Sequence, residues 1–135
     1  MGLGIAAGAG AYTFWYARGF SYFSNKPEAC VNCHIMNDNY ESWRVSSHRS
    51  VPCNDCHIPH GLVRKYLAKG ENGFRHSWAF TFENVQRLRI TPGDLRNLQE
   101  NCVRCHAAAV EPILGDRDRE EYRCSSCHRG TGHAL

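Results

Sequence analysis

The cysteines of this 135-residue chain occur as four Cys-x-x-Cys pairs, and a histidine directly follows each pair. The two thiols of such a pentapeptide add across the vinyl groups of one haem, and the adjacent imidazole then reaches the iron. A Cys-x-x-Cys pair by itself also occurs in zinc sites and redox disulfides. Because histidine follows all four pairs, the sequence predicts four covalently bound haem c groups. The predicted attachment residues are Cys30, Cys33, Cys53, Cys56, Cys102, Cys105, Cys124 and Cys127.

The axial ligands of the irons are harder to assign. The first motif carries two candidates, because Met36 follows His34 by two residues and a thioether is a softer donor than an imidazole. A histidine outside the motifs serves equally well as a ligand, a helix cap, a propionate partner or a proton acceptor. We expect ligation to cross between motifs. The histidines outside the motifs are His48, His60, His76 and His133.

Length and charge limit the fold. A chain of this length is one domain, and it cannot enclose a large aliphatic core while it also surrounds four macrocycles. The sequence therefore predicts a mainly α, small multihaem cytochrome c fold, with short helices and loops around a core of haem. The formal net charge of +3 omits the haem propionates. We assign many of the lysines and arginines to those carboxylates and predict no nucleic-acid binding.

The spacing of the motifs repeats. Cys30 and Cys53 are 23 residues apart, Cys102 and Cys124 are 22 apart, and 49 residues separate Cys53 from Cys102. This repeated spacing predicts two dihaem modules with an insertion between them.

The N-terminal segment is uncharged as far as Arg18. Seventeen residues are at the short limit for crossing a hydrocarbon core, and tyrosine and tryptophan near the arginine are typical of the headgroup region. We predict a transmembrane anchor at 1–18, whose native span can begin before Met1, and a tetrahaem domain at 19–135. The alternative is the apolar region of a cleaved signal peptide. With an anchor, the haems would lie on the oxidising, extracytoplasmic side.

Residues 61–85 carry no haem motif. Apolar residues before and after a predicted break at 70–73 recur with a helical period, beside lysines and arginines. This pattern fits an amphipathic segment in the membrane interface and equally an aromatic stripe packed on a porphyrin.

Farther along the chain, residues 90–94 are predicted to form a turn, with Asp94 as the N-cap of the helix that carries the third motif.

These features together resemble the NapC/NirT family of membrane-anchored tetrahaem quinol dehydrogenases. The resemblance rests on four CxxCH motifs, an apolar N-terminus, CHxM at 33–36 and CNDCHIPH at 53–60, and it covers essentially the whole chain. It implies that Met36 replaces His34 on the first iron and raises the reduction potential of that haem. It implies His57, His106 and His128 as proximal ligands of the second, third and fourth haems, His133 as distal ligand of the third, and His48 of the fourth.

The family pattern also implies a quinol site beside the first haem, within a membrane-interface segment at 61–88. Lys69 matches the lysine of that pattern, whereas His76 stands where the pattern has an acidic residue. His76 would accept a proton from quinol or bind the first iron from its open side, and we favour proton acceptance.

The function implied by the resemblance is menaquinol oxidation in the cytoplasmic membrane, with electrons passed to a pentahaem cytochrome c nitrite reductase on the periplasmic face. A lysine of that partner would be the distal ligand of the second haem. The alternatives are a different periplasmic reductase as partner, for nitrate or an N-oxide, a soluble multihaem shuttle, or a stand-alone enzyme that reduces a small oxyanion.

Overall fold

A computed structural model describes residues 1–85, 88–115 and 122–133. Within these residues the fold is helical and contains no strand, so the predicted mainly α class is confirmed. The predicted segments 19–135 and 61–88 both extend over residues outside the described part. The α-helices are α1 (Gly2–Tyr16), α2 (Asn37–Arg44), α3 (Cys53–His57), α4 (Leu62–Phe82), α5 (Pro92–Cys105), α6 (Ala107–Leu114) and α7 (Cys124–Cys127), and 3-10 helices span Gly19–Phe23, Pro27–Asn32 and His34–Met36.

Little of the described chain is packed against other protein atoms. The buried hydrophobic side chains among the described residues are Ile58 and Leu114, and the buried polar ones are Ser46, Lys69 and Asn101. No described side chain is completely enclosed. A chain with so small an aliphatic core cannot be stabilised by polypeptide packing in the usual way, which agrees with the expectation that haem forms the core.

The first helix, α1, carries no charged side chain and is exposed along its whole length. It ends where Arg18 adopts a left-handed conformation with φ of 52°. The chain then folds back, so that the ring of Phe14 packs edge-on against Phe20, with 5.1 Å between their centres, and covers Gly19. A Cβ at Gly19 would overlap the Phe14 ring. No helix in the described ranges combines the length and hydropathy that a bilayer crossing requires, so the anchor stays a prediction.

The longest helix, α4, runs without interruption for 21 residues. The predicted break at 70–73 is therefore wrong. Glycine in a helix interior costs about 1 kcal/mol relative to alanine. The apolar residues before and after the two glycines lie on the same side of one continuous helix, so their spacing does not require a break.

The start of α5 also differs from the prediction. Thr91, and not Asp94, is the N-cap: its hydroxyl accepts from the Asp94 backbone N–H at 3.1 Å and donates to the Asp94 carboxylate at 2.7 Å. Pro92 occupies the first helical position, where a missing N–H costs nothing. The predicted turn at 90–94 is therefore mostly the first turn of the helix.

Two amide side chains of α5 attach the second and the fourth haem motif to this helix. The buried amide of Asn101 donates to the carbonyls of Cys56, at 2.9 Å, and Ile58, at 3.0 Å, at the end of α3. Gln99 donates to the carbonyl of Tyr122 at 3.1 Å and accepts from the backbone N–H of Cys124 at 2.9 Å, at the start of α7. Helix α5 thus carries the third motif and positions the second and the fourth.

Candidate haem-binding and quinol site

Each haem motif lies wholly or partly on a helix. The second and fourth motifs build α3 and α7, the third lies at the end of α5, and the first lies on the consecutive 3-10 helices Pro27–Asn32 and His34–Met36. Residues three positions apart are neighbours on a helix surface. The two cysteines of a helical motif therefore project to one side, as attachment to a single macrocycle requires.

The thiols of different motifs meet in pairs. The thiol of Cys30 in the first motif lies beside that of Cys53 in the second, and the thiol of Cys102 in the third lies beside that of Cys124 in the fourth. In a haem-loaded chain these sulfur atoms would be thioethers. The contacts place the first motif beside the second and the third beside the fourth.

Two pairs of histidines face each other across the motifs. The ring centres of His57 and His133 are 6.0 Å apart, and those of His48 and His106 are also 6.0 Å apart. A metal–imidazole bond is about 2 Å long and a ring nitrogen lies about 1 Å from its ring centre, so two imidazoles on opposite sides of one metal ion have centres about 6 Å apart. Both pairs therefore fit an iron held by two histidines.

These contacts differ from the pairing that the family resemblance implies. The resemblance gives His133 to the third haem and His48 to the fourth, whereas the ring contacts place His133 beside His57 of the second motif and His48 beside His106 of the third. Sequence spacing could not separate the alternatives, because which motif a distant histidine faces depends on how α2, α3 and α5 pack.

The other predicted iron ligands stand apart from these pairs. Met36 is half-buried at the end of its 3-10 helix, whereas His34 is exposed. His128 is exposed at the C-terminal cap of α7. His60 is exposed after Pro59 and lines a shallow pocket with Asp55. Met36 as a ligand remains a prediction, and nothing in the structure gives His60 a role.

Lys69 is the buried residue of α4, and its side chain is 8% exposed. Its ammonium group donates to the carbonyl of Ser24 at 2.8 Å and to the side-chain oxygen of Asn25 at 3.4 Å. Both acceptors also receive the side-chain N–H2 of Asn54, in the second motif, at 3.2 and 3.0 Å. Burial and the neighbouring Lys65 lower the pKa of Lys69, against the influence of the nearby Cys30. Lys69 therefore lies beside the first motif.

His76 lies on the same face of α4 as Lys69, because seven residues bring a helix to within about 20° of its starting direction. Its Nδ1 is 3.2 Å from the hydroxyl of Tyr22. Burial raises the pKa of Tyr22, as do Cys33 and Cys30, which places Tyr22 beside the first motif as well. Burial and Arg75 lower the pKa of His76, whereas Asp94 raises it.

The opposite face of α4 is exposed and mostly apolar, with Glu71 as a charged residue on it. The rings of Phe74 and Trp78 are 6.2 Å apart, and those of Trp78 and Phe82 are 4.6 Å apart, so the aromatic residues form a stack along the helix. Phe74 is 68% exposed and Phe82 is 69% exposed. The apolar residues of this outer face are Val63, Leu67, Phe74, Trp78 and Phe82.

Sequence reasoning selected Lys69 and His76 but missed the residues around them. The sequence does not distinguish Tyr22 from the aromatic residues beside it. Asn54 lies inside a haem motif, where its side chain carries no separate signal in the sequence. Tyr22 meets His76 across 54 positions, and Asn54 meets Ser24 and Asn25 across 30 and 29 positions. The sequence gives no indication of such contacts.

A family model described as the N-terminal region of the NapC/NirT cytochrome c family matches residues 1–135. The chain belongs to the NapC/NirT cytochrome c family. The match confirms the resemblance that the motifs indicated, over the whole sequence and including the uncharged N-terminus and α4.

Two relatives align with most of the chain. The chain is 37% identical to the cytochrome c-type protein NrfH of Wolinella succinogenes, over 96% of the chain and 80% of that protein. It is 30% identical to the cytochrome c nitrite reductase subunit NrfH of Nitratidesulfovibrio vulgaris, over 87% of the chain and 72% of that protein.

A solved structure shows the same fold. The crystal structure of the cytochrome c nitrite reductase NrfHA complex bound to the HQNO inhibitor contains a chain that matches with a TM-score of 0.73 and 25% sequence identity. The match covers 99% of this chain and 91% of that one. The helical architecture is therefore that of a NapC/NirT cytochrome.

Proposed function

We propose that this chain is a membrane-anchored tetrahaem cytochrome c that oxidises menaquinol and delivers the electrons to an extracytoplasmic cytochrome c nitrite reductase. Its family, its NrfH relatives and its similarity to a chain of the NrfHA complex support this function. The observation that carries the quinol site is the presence of Lys69 and His76 on one face of α4, beside the first haem motif.

Four haem c groups would be held by the eight motif cysteines, in two dihaem modules. The proximity of Cys30 to Cys53 and of Cys102 to Cys124 supports that grouping. The haems would supply one-electron carriers with potentials set by their axial ligands. Met36 would ligate the first iron, where its weaker donation favours acceptance of an electron.

The second iron would be held by His57 and His133, and the third by His106 and His48, as the ring contacts support. The second haem then has a distal ligand from its own chain. A lysine of the nitrite reductase subunit would instead be a ligand of the fourth haem iron, together with His128. The partner would therefore dock at the fourth motif, far along the chain from the quinol site.

The side chains at the quinol site suit the chemistry of quinol oxidation, which releases two protons with two electrons. An ammonium group has three N–H donors, and Lys69 uses two of them on Ser24 and Asn25. The third would bind a quinol oxygen. The neutral imidazole of His76 would accept a proton, and Tyr22 would orient that ring through Nδ1.

The membrane would be contacted by α1 and by the outer face of α4. An exposed stripe of aromatic and aliphatic side chains opposite a polar face is the pattern of a helix that lies in the membrane interface. With that face towards lipid, Lys69 and His76 would project towards the haem domain. A lipid-soluble quinol would then enter between α4 and the haem domain. The anchor at 1–18 would keep the haem domain on the periplasmic side.

The proposal is tested by purification of the haem-loaded chain in mild detergent and assay with a menaquinol analogue. We expect quinol-dependent nitrite reduction after addition of a pentahaem nitrite reductase, and no turnover of nitrite by the chain alone with an artificial reductant. Nitrite turnover by the isolated chain would indicate the stand-alone enzyme. Full solubility without detergent together with inactivity towards quinol would indicate the soluble shuttle.

A further inference from the structure

The imidazoles of His48 and His133 are both held at Nδ1. His133 Nδ1 is 2.9 Å from the backbone carbonyl of Asn39. Because a carbonyl only accepts hydrogen bonds, we assign the ring proton of His133 to Nδ1, and Nε2 is left unprotonated. This is the tautomer that binds a metal through Nε2.

The side chain behind His48 is Ser47. The Ser47 hydroxyl oxygen is 3.0 Å from His48 Nδ1, and it donates a longer hydrogen bond to the carbonyl of Thr131 at 3.4 Å. Since the Thr131 carbonyl takes the hydroxyl proton, the Ser47 oxygen is free to accept the Nδ1 proton of His48. His48 is then also left with an unprotonated Nε2.

The backbone around His48 is fixed independently of Ser47. The indole N–H of Trp43 donates to the carbonyls of His48 at 3.1 Å and Val51 at 3.0 Å. The hydroxyl of the buried Ser46 accepts from the His48 backbone N–H at 3.2 Å. Removal of the Ser47 hydroxyl therefore leaves the loop in place. It removes the bond to the imidazole and the long bond to the Thr131 carbonyl, but the Thr131 hydroxyl still donates to the carbonyl of His128 at 2.9 Å.

We propose that Ser47 is a positioning residue for the third haem: it sets the tautomer and donor strength of His48 and connects this histidine to the 131–133 segment that carries His133. The inference rests on the haem pairing proposed above. A hydrogen bond from the second ring nitrogen fixes the ring of a metal-bound histidine and makes it a stronger donor, and loss of such a partner typically costs about 10- to 100-fold in metal affinity.

The proposal predicts an effect confined to one haem. Without the Ser47 hydroxyl, His48 is a weaker donor and leaves the iron more readily, and the reduction potential of that haem rises because the oxidised iron is less well stabilised. The haem between His57 and His133 keeps the Asn39 carbonyl behind its distal ligand. That haem is expected to remain unchanged.

The test uses the full haem-loaded chain in mild detergent, with Ser47→Ala, Ser47→Thr and the control Ser50→Ala, an exposed serine of the same loop. Carbon monoxide reaches a haem with two histidine ligands only after one of them dissociates. We expect Ser47→Ala to speed carbon monoxide binding at one such haem by about tenfold and to raise one reduction potential in a spectroscopic titration. Ser47→Thr should restore both values, and Ser50→Ala should match the parent chain.

Two results would overturn the proposal: Ser47→Ala indistinguishable from Ser50→Ala, or equal changes at every haem. His48→Ala separates this inference from the pairing on which it rests. If His48→Ala converts one haem to the high-spin form but Ser47→Ala has no effect, only the role of Ser47 is refuted. If His48→Ala leaves the number of high-spin haems unchanged, the pairing is wrong and the inference is refuted with it.

Discussion

Substitution of Lys69 by methionine tests the quinol site most directly. Methionine keeps the length and apolar stem of the side chain and removes its three donors. The acceptors that Lys69 leaves, the Ser24 carbonyl and the Asn25 side chain, still receive the Asn54 amide at 3.2 and 3.0 Å. Neither acceptor loses its last partner, so we expect a stability loss below about 2 kcal/mol and a fully folded, haem-loaded protein.

The effect on quinol oxidation should be much larger than the effect on folding. A hydrogen bond to a charged donor contributes about 1.5–3 kcal/mol. At about 1.4 kcal/mol for each factor of ten, Lys69→Met should lower kcat/KM for a menaquinol analogue by about 10- to 100-fold. Reduction of the haems by a soluble artificial reductant, which needs no quinol site, should be unchanged.

Lys65→Met is the matched control, because Lys65 precedes Lys69 by one turn on α4 and is only partly buried. It should retain the parent rate with quinol. The reasoning is refuted if Lys69→Met oxidises quinol at the parent rate. It is equally refuted if Lys65→Met and Lys69→Met lose activity to the same extent, since that outcome would reflect the positive charge of α4 in general.

Four further predictions follow from the structure. Because burial lowers the pKa of His76 and only its neutral form accepts a proton, quinol oxidation should persist to a pH below about 6.5 and fall as pH drops through the lowered pKa; His76→Asp should move that fall to lower pH. His133→Ala should convert one haem to the high-spin form in electron paramagnetic resonance, even with the nitrite reductase subunit bound, because His57 then has no opposing imidazole; an unchanged spectrum would contradict the pairing. Phe82→Gln, on the outer face of α4, should weaken binding to lipid vesicles without a change in haem absorption, and unaltered vesicle binding would favour packing of this face on protein or porphyrin. Asn101→Ala should lower the free energy of unfolding by about 2–4 kcal/mol, measured by denaturant titration of the haem-loaded chain, because two carbonyls lose their common donor.

The sequence alone determined the chemistry of this protein. The spacing of cysteine and histidine is a local property of five residues, so it identifies haem attachment wherever the motif lies in the fold. The same holds for the helical class and for the family, which rests on motifs such as CNDCHIPH. Local rules were less reliable for where helices begin and end. They placed the cap of α5 at Asp94 instead of Thr91, and they divided α4 into two helices.

Only the tertiary structure decided which residues meet. His133 follows the fourth motif in sequence, yet its ring faces His57 of the second, 76 positions away. Tyr22 meets His76, and Lys69 meets Ser24, because α4 packs against the 3-10 helix Gly19–Phe23 and the residues that follow it. The physical reason is that axial ligation and proton transfer depend on distances of a few ångströms, and those distances are set by the packing of α3, α4 and α5. Sequence separation carries no information about them.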